Sequence, residues 1–411
     1  MLAHNLAFSP LVDDSFFQQL PAAPAVFLLK GDGEPYVSKT ANLRRRLQRL
    51  LGPPAEHSKR LNLPDRVREI EFSLTGSDFE SQLLLYRLLR KTFPTTYAAR
   101  LRLRPAPLVK LHLDNAYPRA SVTTRLGKLP PNDPGVAGVH ALIGKANFYY
   151  GPFPSRAAAE KFASDALDFF KMRRCVEELN PDPAFPGCVY SEMKMCLAPC
   201  FKGCSDEEYS AEVTRVREFL GTRGESLVRE LSEQREQASA ALAFEEAATI
   251  HTRIEKLKPL ISQLPEIIRR IDQLDGVIVQ PSAVPGSVCL LRFQQARLIG
   301  PLLFNVEHAP ESAGPDGLGP RFQGKPQTME SRVQEAISAF DPGATCTTLE
   351  RNEQLALLKR WYYRSHRIGE IFFADDKGSW PLRRMVRGVG RVYKGEKSEE
   401  FSATQLPAPP S

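Results

Sequence analysis

Five cysteines lie within one thirty-residue stretch, Cys175, Cys188, Cys196, Cys200 and Cys204, while Cys289 and Cys346 stand far away. Met1 to Pro10 shows neither the charged start nor the long apolar core of a secretory signal. A reducing, cytoplasmic setting is therefore expected, and a disulfide framework is the weaker reading. Clustered thiols in such a setting point to a soft metal, either zinc or an iron-sulfur cluster. The spacing C-x12-C-x7-C-x3-C-x3-C does not choose between them. It lacks the paired short knuckles common in structural zinc sites and holds one cysteine more than a four-ligand site needs.

A second chemistry is suggested by charge. The 411 residues carry a net charge of +7, unevenly placed: residues 1 to 130 hold 20 Lys and Arg against 11 Asp and Glu. That part is at +9, which leaves the remainder at about −2. A basic amino-terminal part favours a polyanionic partner, with nucleic acid the first candidate, against the plainer alternative of a solvated basic face. The run Arg44, Arg45, Arg46 and Arg49, with Lys39 just before it, is its densest point. A composition of 42% hydrophobic and 25% charged residues is that of folded globular domains, and no segment is apolar for long enough to span a bilayer.

The elements that must position these groups can be read from pattern. Ala25 to Lys30, Gly31-Asp32-Gly33 and Tyr36-Val37 read as a β-hairpin. Asn42 caps a following helix whose Leu43, Leu47, Leu50 and Leu51 form one stripe. Ser77-x-x-Glu80 is a capping box that starts a second helix, which Pro94 stops. Residues 105 to 155, rich in proline and glycine, read as an extended connector carrying strands. From Asp206 to Gln263 the pattern is helical, with the stripe Ala247, Ile250, Ile254, Leu257 and Ile261, as a helical hairpin would show. Strand-like alternation follows over 276 to 304, then a helix over Glu350 to Arg364 and the apolar run Ile371-Phe372-Phe373. Asp275, Glu307 and His308 are expected on loops or the surface, and the last thirty residues as a flexible basic tail.

The order of these motifs resembles one family, UvrC, the incision subunit of bacterial nucleotide excision repair, over residues 20 to 375. Pro24-Ala25-Val26-Phe27, Tyr36-Val37-Ser38-Lys39 and Asn42-Leu43-Arg44-Arg45-Arg46-Leu47 are similar to the start of its GIY-YIG nuclease domain. Gly151-Pro152-Phe153-Pro154-Ser155 resembles its block before the cysteines, and Cys196-Leu197-Ala198-Pro199-Cys200 its cluster. Leu242-Ala243-Phe244-Glu245-Glu246-Ala247-Ala248 resembles the UVR motif that contacts UvrB. The resemblance implies a multidomain α/β protein: a GIY-YIG-like domain over 15–104, a connector and Cys-rich segment over 105–205, a UVR hairpin over 206–265, a partial RNase H-like α/β domain over 270–375 and a tail over 376–411. It also implies that the RNase H-like catalytic carboxylates and a helix-hairpin-helix module would lie beyond residue 411.

The same resemblance implies roles. Cys175, Cys188, Cys196 and Cys200 would hold a [4Fe-4S] cluster, with zinc the alternative metal and Cys204 the spare. Phe244, Glu245, Ala247 and Ala248 would meet UvrB, with His251-Thr252 where the family usually has Arg-Asp. In GIY-YIG nucleases a tyrosine handles the attacking water's proton, basic residues stabilise the phosphate, and a glutamate holds one Mg²⁺ or Mn²⁺. Tyr36, Lys39 and Arg46 match that set. Phe27 replaces the first tyrosine, Ser38 a glycine, Ala98 an asparagine and Leu85, counted back from Pro94, the glutamate. Glu80 is a poor substitute, about 140° around the helix from Leu85, and so is Asp78, about 10 Å along the axis. The expectation is a UvrC-like repair protein that binds DNA through Lys39, Arg44, Arg45, Arg46 and Arg49, docks on UvrB and does not cut. The alternatives are an active single-incision nuclease and a metal-stabilised interaction protein outside repair.

Overall fold

The computed structural model describes residues 2–11, 14–52, 63–129, 147–307, 328–341, 346–375 and 377–396. The amino-terminal unit is an antiparallel sheet of β1 (His4–Ala7), β2 (Ala25–Gly31), β3 (Tyr36–Thr40) and β4 (Val67–Leu74) in the order β1-β4-β2-β3. β2 and β3 form the expected hairpin, with Phe27 opposite Ser38 and Leu29 opposite Tyr36. Helices α1 (Asp14–Gln19), α2 (Leu43–Leu51), α3 (Leu63–Arg66), α4 (Asp78–Thr92) and α5 (Tyr97–Leu101) complete it. Asn42 Oδ1 accepts the Arg45 N–H at 2.9 Å, so α2 starts where its cap dictates, and Leu43, Leu47 and Leu51 are buried beneath it. At α4 Ser77 is the cap as expected, and only the return bond of the box is displaced by one residue. Ser77 Oγ accepts the Glu80 N–H at 3.1 Å, but the Glu80 carboxylate reaches back to the Gly76 N–H at 2.8 Å.

The segment read as a connector builds a sheet of its own. β5 (Leu108–Leu111), β6 (Ala120–Thr123) and β7 (Phe148–Gly151) pair antiparallel, and the fourth strand, β8 (Arg269–Arg270), arrives only after the chain has run through all the intervening helices. Those helices are α6 (Arg156–Leu167), α7 (Val189–Glu192), α8 (Asp206–Gly221), α9 (Glu225–Ala240) and α10 (Phe244–Ser262). The stretch expected as a two-helix hairpin therefore holds three helices. The break between the first two falls at Gly224, whose φ of 96° and whose closeness to Ile261 leave no room for a β-carbon.

The carboxy-terminal unit is the all-antiparallel sheet β11-β10-β9-β12, from β9 (Asp275–Pro281), β10 (Ser287–Gln294), β11 (Arg297–Asn305) and β12 (Glu370–Phe373), with α11 (Met329–Ser338), α12 (Thr348–Tyr362) and α13 (Leu382–Lys394). Both faces are buried, as alternate residues show: Val277, Val279, Val288 and Leu290 pack with α11 and α13, while Ile278, Cys289, Leu291 and Phe293 face the other way. That second face is where the units merge. Phe79, Leu83, Tyr86 and Leu89 of α4 share one core with Leu355, Leu358 and Trp361 of α12, and the Phe79 and Trp361 rings lie 5.1 Å apart. Each such side chain contributes roughly 1.5–3 kcal/mol by leaving water, so α4 ties the two units together.

Two expectations are corrected here. The supposed tail contains α13, whose Met385, Val389 and Val392 are buried on the sheet and whose Arg391 makes a two-pronged ion pair with Glu370 at 2.8 and 2.7 Å. Gly388 permits this packing, since a β-carbon there would stand 2.3 Å from the Phe372 ring. The final Pro-Ala-Pro-Pro-Ser lies outside the described residues. Asp275 is no loop residue either: it begins β9 and is held by Arg292 at 3.0 and 2.6 Å and by Gln294 at 3.0 Å. Glu307 meets the Tyr393 hydroxyl, and His308 lies outside the described residues.

Candidate functional site

Strand alternation decides which of the nuclease-like residues can meet. Phe27, Tyr36 and Ser38 share the face of the β2–β3 hairpin that packs with α2, where the Phe27 and Tyr36 rings lie 6.0 Å apart. Arg46 reaches down from α2 and donates from Nη2 to the Tyr36 hydroxyl at 2.9 Å, while its Nε is buried without a partner. Phe27 is fully buried beside them. A phenol and a guanidinium with a spare donor can hold a phosphate oxygen, but Phe27 offers no hydroxyl to take a proton.

Lys39 and Leu85 lie elsewhere. Lys39 points to the opposite face of the hairpin, with Val37, toward α4. There its ammonium is paired with Asp78, which also holds Arg364 from beyond α12 and accepts from Gln82 Nε2 at 2.7 Å. Burial works to raise the Asp78 carboxyl, and Lys39 followed by Arg364 outweigh it, so its pKa lies below the usual range. Leu85 is half-buried against the core that α4 shares with the carboxy-terminal unit. The retained trio is thus divided: Tyr36 and Arg46 meet, and Lys39 stands apart from them.

The arginine run is divided as well. Arg44 Nε donates to the Leu20 carbonyl at 2.7 Å, fastening α2 to the end of α1. Arg46 is committed to Tyr36, and Arg45 and Arg49 are the exposed members. Two contacts cannot be found by reading along the chain. Asp78 and Arg364 are 286 positions apart, and Glu353 of α12 accepts from both the Tyr86 and Tyr97 hydroxyls at 2.8 Å.

In the cysteine segment the chain turns through left-handed positions at Gly187, Lys194, Ala198 and Lys202, which folds a short stretch back on itself. Burial, then Cys175, Cys200 and Cys188, push the Cys196 thiol up to about 11. Cys196 thus feels the other three thiols, and Cys204, raised first by burial, feels Glu208 and Asp206 of α8 and then Cys200. Arg173, almost fully buried, donates to Cys175 Sγ at 3.3 Å, and the Ala198 N–H to Cys196 Sγ at 3.3 Å. Among the described residues, no three His, Cys, Asp or Glu side chains stand close enough to grip a single ion. Thiol sulfur is a soft donor, and the Cys175 and Cys196 sulfurs each receive a hydrogen bond, which is the part of the donor chemistry that would suit a thiophilic metal group.

The third candidate is the α9–α10 hairpin. Leu227, Leu231 and Ala238 pack with Ile250, Ile254 and Leu257 inside it, and the connection Ala241-Leu242-Ala243 turns through Leu242 at φ 60°. At this end Leu242 is 73% and Phe244 65% exposed, an arrangement that costs solvation unless something covers it. Glu245 and Ala248 are exposed beside them, while Ala247 turns inward against the core. Among the described residues no helix is long and apolar enough to cross a membrane.

Comparison with known proteins meets this geometry at two places. The family model "UvrC/Cho excinuclease, middle domain" matches residues 112–219, and the "UvrB/uvrC motif" matches 225–258, which is α9 with most of α10. The UvrABC system protein C of Carboxydothermus hydrogenoformans is 28% identical over 286 residues, 69% of this chain and 44% of that protein. That of Stenotrophomonas maltophilia K279a is 26% identical over 372 residues, 88% and 56%, and that of Rickettsia africae 31% identical over 222 residues, 54% and 32%. The chain spans about half the length of the curated relatives it matches. No solved structure matches it.

Proposed function

The chain belongs to the UvrC family, and from that premise we propose that it serves nucleotide excision repair by binding DNA and docking on UvrB without making an incision itself. The observation that carries this reading is the bare apolar end of the α9–α10 hairpin, inside the segment that matches the motif UvrB and UvrC share. A helix presenting Phe244 beside the small Ala248 fits a partner that supplies a related helix, since a small residue lets two backbones approach closely. The absence of cutting rests on Phe27 and Leu85, which remove a proton-handling hydroxyl and a metal carboxylate from the nuclease-like unit.

The cysteine segment has a structural part in this reading. Cys175, Cys188, Cys196 and Cys200 would hold a [4Fe-4S] cluster, which needs its thiolates set wider apart than a single ion does and supplies cross-links to a segment poor in buried apolar side chains. Arg173 and the Ala198 N–H would then steady two of the sulfurs. Anaerobically purified protein should be brown with about four irons per chain. A single zinc would replace this assignment.

The decisive experiment loads UvrB on damaged duplex and adds the full chain. Expected are a ternary complex and no nick with Mg²⁺ or Mn²⁺. Phe244→Ala should weaken the complex by about 2 kcal/mol, roughly thirtyfold, while the protein stays folded. Equal affinity for wild type and variant would remove the hairpin from the partner surface. One observation favours a second reading, a single-incision nuclease: the Tyr36–Arg46 hydrogen bond is intact. Metal-dependent nicking by the unmodified chain, lost in Arg46→Ala, would establish that reading.

A further inference from the structure

Two cations from distant parts of the chain converge on one carboxylate. Lys39 of β3 pairs with Asp78 Oδ1, and Arg364, just past α12, pairs with Asp78 Oδ2, which also accepts from Gln82. Lys39 lies on the opposite face of the hairpin from Tyr36 and Arg46, so this cluster is no part of the retained nuclease-like pair. It sits on the seam between the amino- and carboxy-terminal units, and it is open to water: the side chains of Lys39, Asp78 and Arg364 are 33%, 38% and 53% exposed.

We propose that Lys39 and Arg364 form a phosphate-binding pair spanning the two units, held shut by Asp78, and that a nucleic-acid backbone opens it by taking the aspartate's place. The proposal rests on the reading that the chain binds DNA. A carboxylate whose two oxygens are each held by a different cation occupies the same donors that the two free oxygens of a phosphodiester would use. Ion pairs this exposed contribute little on balance, so exchanging one anion for another is close to neutral. Release of condensed counterions from the duplex then favours the exchange. Asp78 therefore lowers affinity for DNA by setting one negative charge between the two cations and occupying their donors, and bound DNA in turn removes one tie across the seam.

The test is Asp78→Asn in the full chain, with binding of a labelled random-sequence duplex followed across a salt series. Asparagine keeps an acceptor for Gln82 but no longer neutralises either cation. Affinity should rise about tenfold at low salt, while the slope of log K against log salt stays near that of wild type, because Lys39 and Arg364 meet phosphates in either complex. Asp78→Asn combined with Arg364→Ala should lose the gain and flatten the slope by about one unit. If the asparagine variant does not fold, Asp78→Ser, also well suited to a first helical turn, serves the same purpose. A folded variant with wild-type affinity would overturn the proposal, as would a gain that survives loss of both Lys39 and Arg364. Wild-type chain that shows no salt-dependent binding at all would instead overturn the DNA-binding reading, so the two failures are separable.

Discussion

Helices α4 and α10 both carry apolar stripes that end in the same core, and they differ in what lies beyond the stripe. That of α10 packs on α9 and into the core through Ile250, Ile254 and Leu257, while Leu242, Phe244 and Ala248 at the turn stay uncovered. In α4, Phe79, Leu83, Tyr86 and Leu89 are buried in the core shared with α12 and β10, and Leu85 is half-buried against it. A surface left bare in this way is available to a partner. One absorbed into a shared core is not, and the position where a metal carboxylate would be expected has become part of the packing. The difference is one of exposure: Leu242 and Phe244 stand open to a partner, whereas Leu85 is half-buried against the core.

The strongest way to break this comparison is to attack the seam. Glu353 accepts from both the Tyr86 and Tyr97 hydroxyls, and its neighbour Glu350 pairs with Arg90 of α4. Removing the Glu353 carboxylate leaves two hydroxyl protons without their acceptor, one of them on a tyrosine that is 1% exposed and whose oxygen still accepts from Arg90. Glu353→Ala should therefore cost about 3 kcal/mol in urea unfolding, since hydrogen bonds to charged groups are worth about 1.5–3 kcal/mol each and the stranded donors are not rehydrated. Tyr86→Phe in the same background should recover part of the loss. A cost below about 0.5 kcal/mol, typical of surface substitutions, would mean that α4 is not held at the seam through these bonds.

Legibility in the sequence follows the range of the forces involved. The β2–β3 hairpin, the Asn42 cap and the stripe over Ile250, Ile254 and Leu257 are local, and each lies where the pattern places it. Helix α13 reads as tail because four arginines and two glycines hide a stripe of Met385, Val389 and Val392, and because the need for Gly388 emerges only against Phe372. β8 is two residues long and gains its identity only by pairing with Tyr150 and Gly151. The division of Lys39 from Tyr36 follows from strand alternation and is legible in the sequence. Its engagement by Asp78 and Arg364 is not, because nothing local links positions 78 and 364.

A pH measurement probes the start of α4. Burial holds the Glu80 carboxyl above its ordinary range, and the Gly76 N–H offsets this only in part. Its proton is therefore bound more tightly in the folded chain than in the unfolded one. The resulting contribution to stability is fully present below the unfolded carboxylate range and is lost as pH rises through the folded value. At neutral pH Glu80 thus carries a burial cost. Glu80→Gln keeps an oxygen for Gly76 and should raise the unfolding midpoint at pH 7 while changing it little at pH 4. A variant that is less stable than wild type at pH 7 would show that the charge is used in the seam rather than tolerated there.

The smallest expected effect separates two neighbours in the arginine run. If affinity for DNA were set by residue type alone, Arg44 and Arg45 would be interchangeable. Arg44 is spoken for by the Leu20 carbonyl, whereas Arg45 is exposed on α2. Each lost phosphate contact flattens the salt dependence by about 0.9 units in log–log slope. Arg45→Ala should therefore reduce the slope by about one unit and affinity a few-fold at low salt, with no change in stability. Arg44→Ala should leave the slope unchanged and cost about 1 kcal/mol of stability, the worth of one hydrogen bond that joins α2 to α1. Equal slopes for both variants would mean that Arg44 exchanges the Leu20 carbonyl for a phosphate when DNA binds. In that case the amino-terminal unit would resemble the α9–α10 hairpin more than α4, with its charged surface free for a partner.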